Sequence, residues 1–168
     1  MAYFTAVLAR SGSAWRARDV DLDDSGDLEA LGDVLRSVAV GDEPVVALIE
    51  HEDEWFALFR VDGDDDPRLF VSDFPAASLS SHAELLAPAG EARPEPPVVP
   101  PVELDDDEAA PKPPAAPVWA GDAELLDDLG VSGDALTKLV EEHVEDPAGA
   151  IADVAEQVGF ADLLEALR

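Results

Sequence analysis

The sequence of 168 residues contains no cysteine. This absence excludes disulfide bonds, thiolate metal sites, iron–sulfur clusters and a cysteine nucleophile. Basic residues are scarce too, since 10 Lys and Arg stand against 39 Asp and Glu and leave a formal net charge of -29. Because nucleic acids and anionic membranes are held by cationic side chains, we expect direct binding to neither.

The sequence also lacks long apolar runs. No stretch approaches the roughly 20 apolar residues that cross a bilayer, and residues 1–9 lack the basic start of a secretory signal peptide. We therefore expect a cytoplasmic location. Hydrophobic residues nevertheless make up 47% of the chain and the mean hydropathy is -0.02, which indicates a folded protein rather than a disordered one.

Composition divides the chain into three regions, all of which carry more acidic than basic residues. Ten of the 14 prolines lie in residues 88–120, which we interpret as an extended, partly disordered acidic linker. Residues 1–87 precede it as one candidate domain. Residues 121–168 follow as a module of short helices with a core of marginal size, and we expect this module to dock either on the first domain or on a partner.

Hydrophobic spacing in the first region predicts a mixture of strands and helices in the order ββαβββα. The first helix covers Leu28–Val38, and a short closing helix begins at a capping box of Ser81 and Glu84 and stops at Pro88. The predicted fold class is therefore α+β with a largely antiparallel five-stranded sheet. The five predicted strands are residues 3–9, 15–22, 45–49, 55–61 and 69–71.

One acidic run raises the question of a metal site. Asp62, Asp64 and Asp66 resemble the start of a calcium-binding loop, which has acids at alternate positions. The pattern then fails, because Pro67 stands where such a loop needs glycine and Asp73 where it needs glutamate. We interpret the stretch as a solvated hairpin turn, keep the three aspartates as weak metal candidates and expect no cofactor.

Motifs for nucleophilic or phosphate chemistry are missing: there is no G-x-S-x-G, no G-x-x-x-x-G-K-[ST] and no G-x-G-x-x-G. His51 lies in an acidic stretch between two predicted strands, and we interpret it as an exposed turn residue. Arg10, Arg16 and Arg18 form a basic cluster, for which internal pairing with acids is favoured over binding of an anion. A carboxylate-using metal-binding regulator, or an enzyme of unknown reaction, remains the alternative to a non-catalytic protein.

Two features are candidates for contact with a partner. Trp119 ends the proline-rich region, where it either anchors the linker to a domain or contacts another protein. Asp64, Asp65 and Asp66 concentrate negative charge in one turn, which suits a basic protein surface.

Three stretches resemble the tRNA adenosine deaminase-associated protein family of actinobacteria. They are residues 1–10, residues 52–73, which read EDEWFALFRVDGDDDPRLFVSD, and residues 159–168. The resemblance implies an association with a tRNA adenosine deaminase and no activity, because the family has no catalytic motif to carry over. The deaminase itself needs H-x-E together with P-C-x-x-C, and a chain without cysteine cannot supply that pair.

Charge and resemblance together predict a non-catalytic accessory protein. Its acidic surface would dock on a basic protein partner such as a tRNA adenosine deaminase, with no direct contact to nucleic acid and none to a membrane.

Overall fold

The computed structural model describes residues 3–18, 27–51, 54–63, 65–80, 83–91, 119–143 and 146–167. Within these ranges, six strands form one antiparallel sheet in the order β2-β1-β3-β4-β5-β6. The strands are β1 (Tyr3–Ser11), β2 (Ala14–Arg18), β3 (Pro44–His51), β4 (Trp55–Asp62), β5 (Arg68–Val71) and β6 (Ala120–Gly121).

Helices cover both faces of this sheet. The first three are α1 (Leu28–Val38), α2 (Phe74–Ala77) and α3 (Ala83–Glu91). After β6, a 3₁₀ turn (Asp127–Leu129) leads to α4 (Gly133–Glu142), α5 (Pro147–Val158) and α6 (Ala161–Leu167). Within the described ranges, no helix is long and apolar enough to span a bilayer.

Strand β4 shows how the sequence creates two buried faces. Successive side chains of a strand point to opposite sides of the sheet. Trp55 and Phe59 therefore pack in one cluster with α1, α2 and α3, whereas Phe56 and Leu58 pack in a second cluster with the C-terminal helices. Because both faces are covered, β4 is an apolar run interrupted only by Arg60 before its last residue.

Capping residues set the ends of several helices. Asp27 caps α1, since its carboxylate accepts a hydrogen bond from Ala30 N at 2.7 Å. Pro147 occupies the first turn of α5, where its missing N–H costs nothing, and Gly159 ends that helix with a φ of 108°.

The α+β class and the element order ββαβββα are confirmed, with the short α2 and a sixth strand added. Strand β6 pairs Ala120 with Val71 and Gly121 with Phe70 at the edge of β5. At two residues it is too short for a hydrophobic period, and therefore the sequence does not predict it.

The predicted stop of the closing helix at Pro88 is wrong. Helix α3 continues through Pro88 to Glu91, although proline removes one backbone donor. Ala89 follows the proline and is only 2% exposed, and it packs in the same cluster as Leu85 and Leu86. This burial favours one more helical turn. The predicted cap Ser81 lies outside the described residues.

The C-terminal helices share a hydrophobic cluster with the sheet. Leu136, Ile151 and Phe160 belong to the same buried cluster as Leu48 and Leu58. Residues 121–168 are expected to dock either on the first region of the chain or on a partner, and this contact corresponds to the first of these possibilities. The division into a domain, a linker and a module stays a prediction, because residues 92–118 lie outside the described ranges.

Candidate functional site

A groove of about 220 Å³ opens where the first turn of α1, the β4–β5 turn, α3 and β6 meet. Apolar side chains and one glycine provide most of its wall. They are Leu28, Pro67, Leu69, Pro88, Ala89 and Gly121. Arg68 and Asp122 are the charged residues that line it.

Gly121 permits the close backbone approach that forms one wall of the groove. Its φ is 100°, and a Cβ atom at this position would lie 2.1 Å from the carbonyl oxygen of Leu69. The same carbonyl accepts a hydrogen bond from Asp122 N at 2.8 Å. Only glycine combines this left-handed backbone with this contact, and so the returning chain is held against β5.

The charge of Arg68 is balanced inside the protein. Its guanidinium lies 3.4 Å from a carboxylate oxygen of Asp62 and 3.4 Å from one of Asp122. Asp122 also accepts a hydrogen bond from Glu124 N at 2.9 Å. The groove therefore carries no uncompensated positive charge from Arg68.

A buried arginine lies on the face of the sheet that the C-terminal helices cover. Arg60 is 4% exposed. Its Nη2 donates to Asp62 Oδ1 at 2.9 Å and to Asp128 Oδ2 at 2.8 Å, while Nη1 donates to the carbonyl of Leu125 at 2.5 Å and to Asp128 Oδ1. Arg60 thus ties β4 to the segment between β6 and α4.

Electrostatics favour the charged forms in this network. Burial alone would lower the pKa of Arg60, but the hydrogen bonds to Asp128 and Asp62 outweigh it and raise that pKa. The hydrogen bond from Arg60 lowers the pKa of Asp128 against the opposing effect of burial. Sequence reasoning missed this network. An arginine on the apolar face of a strand signals a buried ion pair, but 39 acids leave its partner undetermined.

The predicted acidic residues of the β4–β5 turn differ in their surroundings. Asp62 contacts Arg60 and Arg68, whereas Asp65 and Asp66 have exposed side chains. Asp64 lies outside the described residues. Within the described residues, no group of three or more His, Asp or Glu could hold a metal ion. The interpretation of this stretch as a solvated turn, with Asp62, Asp64 and Asp66 as weak metal candidates, stays a prediction.

Trp119 contacts its own chain. Its ring stacks on Phe70 with centroids 5.7 Å apart and an interplanar angle of 27°. The residue is half-buried and packs against the cluster that joins the sheet to the C-terminal helices. This contact fits an anchor for the returning chain, and a partner contact for Trp119 stays a prediction.

The interpretation of His51 as an exposed turn residue is wrong. Strand β3 extends to His51, which is 6% exposed, stacks on Trp55 and lies 3.0 Å from a carboxylate oxygen of Glu54. The acidic flanks of His51 concealed the end of the strand.

The expected pairing of Arg10, Arg16 and Arg18 with neighbouring acids stays a prediction, because the acids that follow Arg18 in residues 19–26 lie outside the described ranges. Arg10 donates to Gly12 O at 3.0 Å.

Acidic residues dominate the solvent-facing side of the C-terminal helices. The exposed acids on α4, α5 and α6 are Asp134, Glu141, Glu142, Glu156, Asp162 and Glu165. Lys138 is the single basic residue in these three helices, and its ammonium lies 3.8 Å from Glu142. We call this surface the acidic helical face.

Comparison with known families gives one match. A family model described as Rv3753c-like tRNA adenosine deaminase-associated protein matches residues 3–161. No curated protein and no solved structure matches the chain.

Proposed function

Because the match spans nearly the whole chain, the protein belongs to the Rv3753c-like tRNA adenosine deaminase-associated family, and we propose that it is a non-catalytic accessory protein. In this proposal it binds a basic protein partner, such as a tRNA adenosine deaminase, through its acidic helical face. The observation that carries the proposal is the concentration of six exposed acids against one lysine on α4, α5 and α6.

Charge complementarity supports this choice of partner. Opposite potentials on two proteins accelerate their association and suppress wrong partners, and screening by salt weakens them. An enzyme that binds tRNA needs a basic surface for the phosphate backbone. A folded acidic protein can occupy such a surface, and it then either stabilises the enzyme or competes with RNA.

The same charge argues against RNA as the ligand. Binding of RNA phosphates requires a patch of arginine and lysine, whereas the acidic helical face carries only Lys138. The protein would therefore act on the enzyme and not on its substrate.

The test is retention of purified deaminase on the immobilised protein at about 50 and about 500 mM salt. We expect retention at the lower concentration and loss at the higher one. Glu156→Gln combined with Glu165→Gln should weaken retention. The matched control, Asp33→Asn combined with Asp42→Asn, removes the same charge at two exposed positions that neither lie on these helices nor line the groove described above. Absence of retention at low salt would refute the proposal, and equal effects of the two pairs would refute the assignment to the acidic helical face.

A further inference from the structure

We propose that the groove between α1, α3, β5 and β6 receives one large apolar side chain of the basic partner, flanked in that partner by arginine or lysine. The inference rests on the proposed function, because it specifies what the partner presents to this protein.

The size of the groove selects the occupant. An apolar cavity of roughly 150 Å³ accommodates a benzene ring, whereas pockets for drug-sized ligands measure about 300–1,000 Å³. At about 220 Å³ the groove fits a leucine, phenylalanine or tryptophan side chain better than a metabolite. Single apolar side chains in such pockets are typical anchors of protein interfaces.

The charges around the groove select the residues that flank the anchor. Asp122 lines the groove, and the exposed Asp27 and Asp66 each adjoin a wall residue in the sequence. Arg68 also lines it, but Asp62 and Asp122 balance its charge at 3.4 Å. An apolar side chain that enters here therefore brings its neighbours close to carboxylates, which favours basic neighbours.

The wall is built from constrained backbone and buried side chains. Ala89 is 2% exposed on α3, and Gly121 is held against the carbonyl of Leu69 by the hydrogen bond of Asp122. A preformed wall lowers the ordering cost of binding.

The experiment uses the full chain and two pentapeptides. Each has two arginines on either side of a central residue, which is leucine in one and glycine in the other. Amide chemical shifts from NMR spectra report binding and its location. We expect the leucine peptide to bind at least about fivefold more tightly than the glycine peptide, because its side chain leaves water. Shifts should centre on Leu28, Leu69 and Gly121.

Two alanines on α3 supply a matched pair of variants. Ala89→Leu places a side chain in the groove and should abolish the preference for the leucine peptide. Ala87→Leu adds the same atoms at an exposed position that does not line the groove, and should preserve the preference. If Ala89→Leu fails to fold, Leu28→Lys at the half-buried first turn of α1 serves as the second variant, with the same expected loss.

Equal binding of the two peptides, or binding of neither, would overturn the inference. Two results together would show that the chain itself already fills the groove: the wild type has no preference for the leucine peptide, and Ala89→Leu has a lower Tm than the wild type. This outcome also overturns the inference.

The deaminase assay separates the two proposals. If Ala89→Leu retains deaminase as the wild type does, the groove is not the anchor site and the proposed function stands. If wild type retains no deaminase but prefers the leucine peptide, the proposed function fails and the groove remains a site for basic apolar segments.

Discussion

Replacement of Gly121 by alanine tests how the chain returns to the sheet. At a φ of 100° an alanine pays about 1–2 kcal/mol for the left-handed conformation. Its Cβ would also lie 2.1 Å from the carbonyl oxygen of Leu69, so β6 must move away from β5. That movement breaks the hydrogen bond from Asp122 N to Leu69 O, worth about 1 kcal/mol, and disturbs the packing of Trp119 on Phe70. We expect the free energy of unfolding to fall by about 3–5 kcal/mol.

Gly159→Ala is the matched control for this substitution. Gly159 has a φ of 108°, but a Cβ atom there would meet nothing within 4 Å. Gly159→Ala should therefore lower the free energy of unfolding only by the cost of the left-handed conformation, about 1–2 kcal/mol. Urea unfolding followed by tryptophan fluorescence and by circular dichroism measures both variants. Equal losses of stability, within about 0.5 kcal/mol, would refute the close approach of β6 to β5 as the reason for glycine at position 121.

Three further predictions concern the charged groups. Arg60→Met should lower the free energy of unfolding by about 2–4 kcal/mol, because it removes the bonds of a buried guanidinium to Asp62 and Asp128 and leaves the buried carbonyl of Leu125 without its donor. Arg68→Met, at 38% exposure, should lower it by under about 1 kcal/mol. Equal losses in urea unfolding would contradict the central role of Arg60. Because the folded-state pKa of Asp128 is lowered, its contribution is present above its unfolded pKa and is lost as the pH falls through the folded one. The stability difference between wild type and Asp128→Asn should therefore shrink from pH ~7 to pH ~3, and a constant difference would contradict the pairing. Calorimetric titration with calcium, magnesium or manganese should show no heat of specific binding. A saturable signal that Asp66→Asn abolishes would restore the metal-binding alternative.

The sequence predicts those strands and helices whose hydrophobic pattern repeats over several residues. Alternation along β4 and the helical spacing of Leu31 and Leu35 in α1 correctly place residues on buried faces. Strand β6 and the continuation of α3 past Pro88 depend instead on tertiary contacts. Both are stabilised by neighbours far away in the chain, which no local pattern encodes.

The candidate site is predictable only in part, for a related reason. Asp66 and Trp119 are noticeable in the sequence because of their charge and their isolation, and each lies within two residues of a wall residue of the groove. The groove itself joins Leu28, Pro88 and Gly121 from three distant segments. Arg60 was visible as a charge on an apolar face, but its bonds to Leu125 and Asp128 form only when the last third of the chain packs on the sheet.

The order of the elements has a consequence during synthesis on the ribosome. Strands β1–β5 are complete once Val71 has emerged, but the helices that cover Leu48, Phe56 and Leu58 are encoded downstream, as far as Leu164. Translation at roughly 5–20 residues per second leaves that face of the nascent sheet uncovered for about 5–20 seconds. During this interval the apolar face is open to chaperones and to other nascent chains. Ribosomal pausing within the proline-rich residues 88–120 would prolong the interval, so the speed of translation through this stretch sets how long that face stays uncovered.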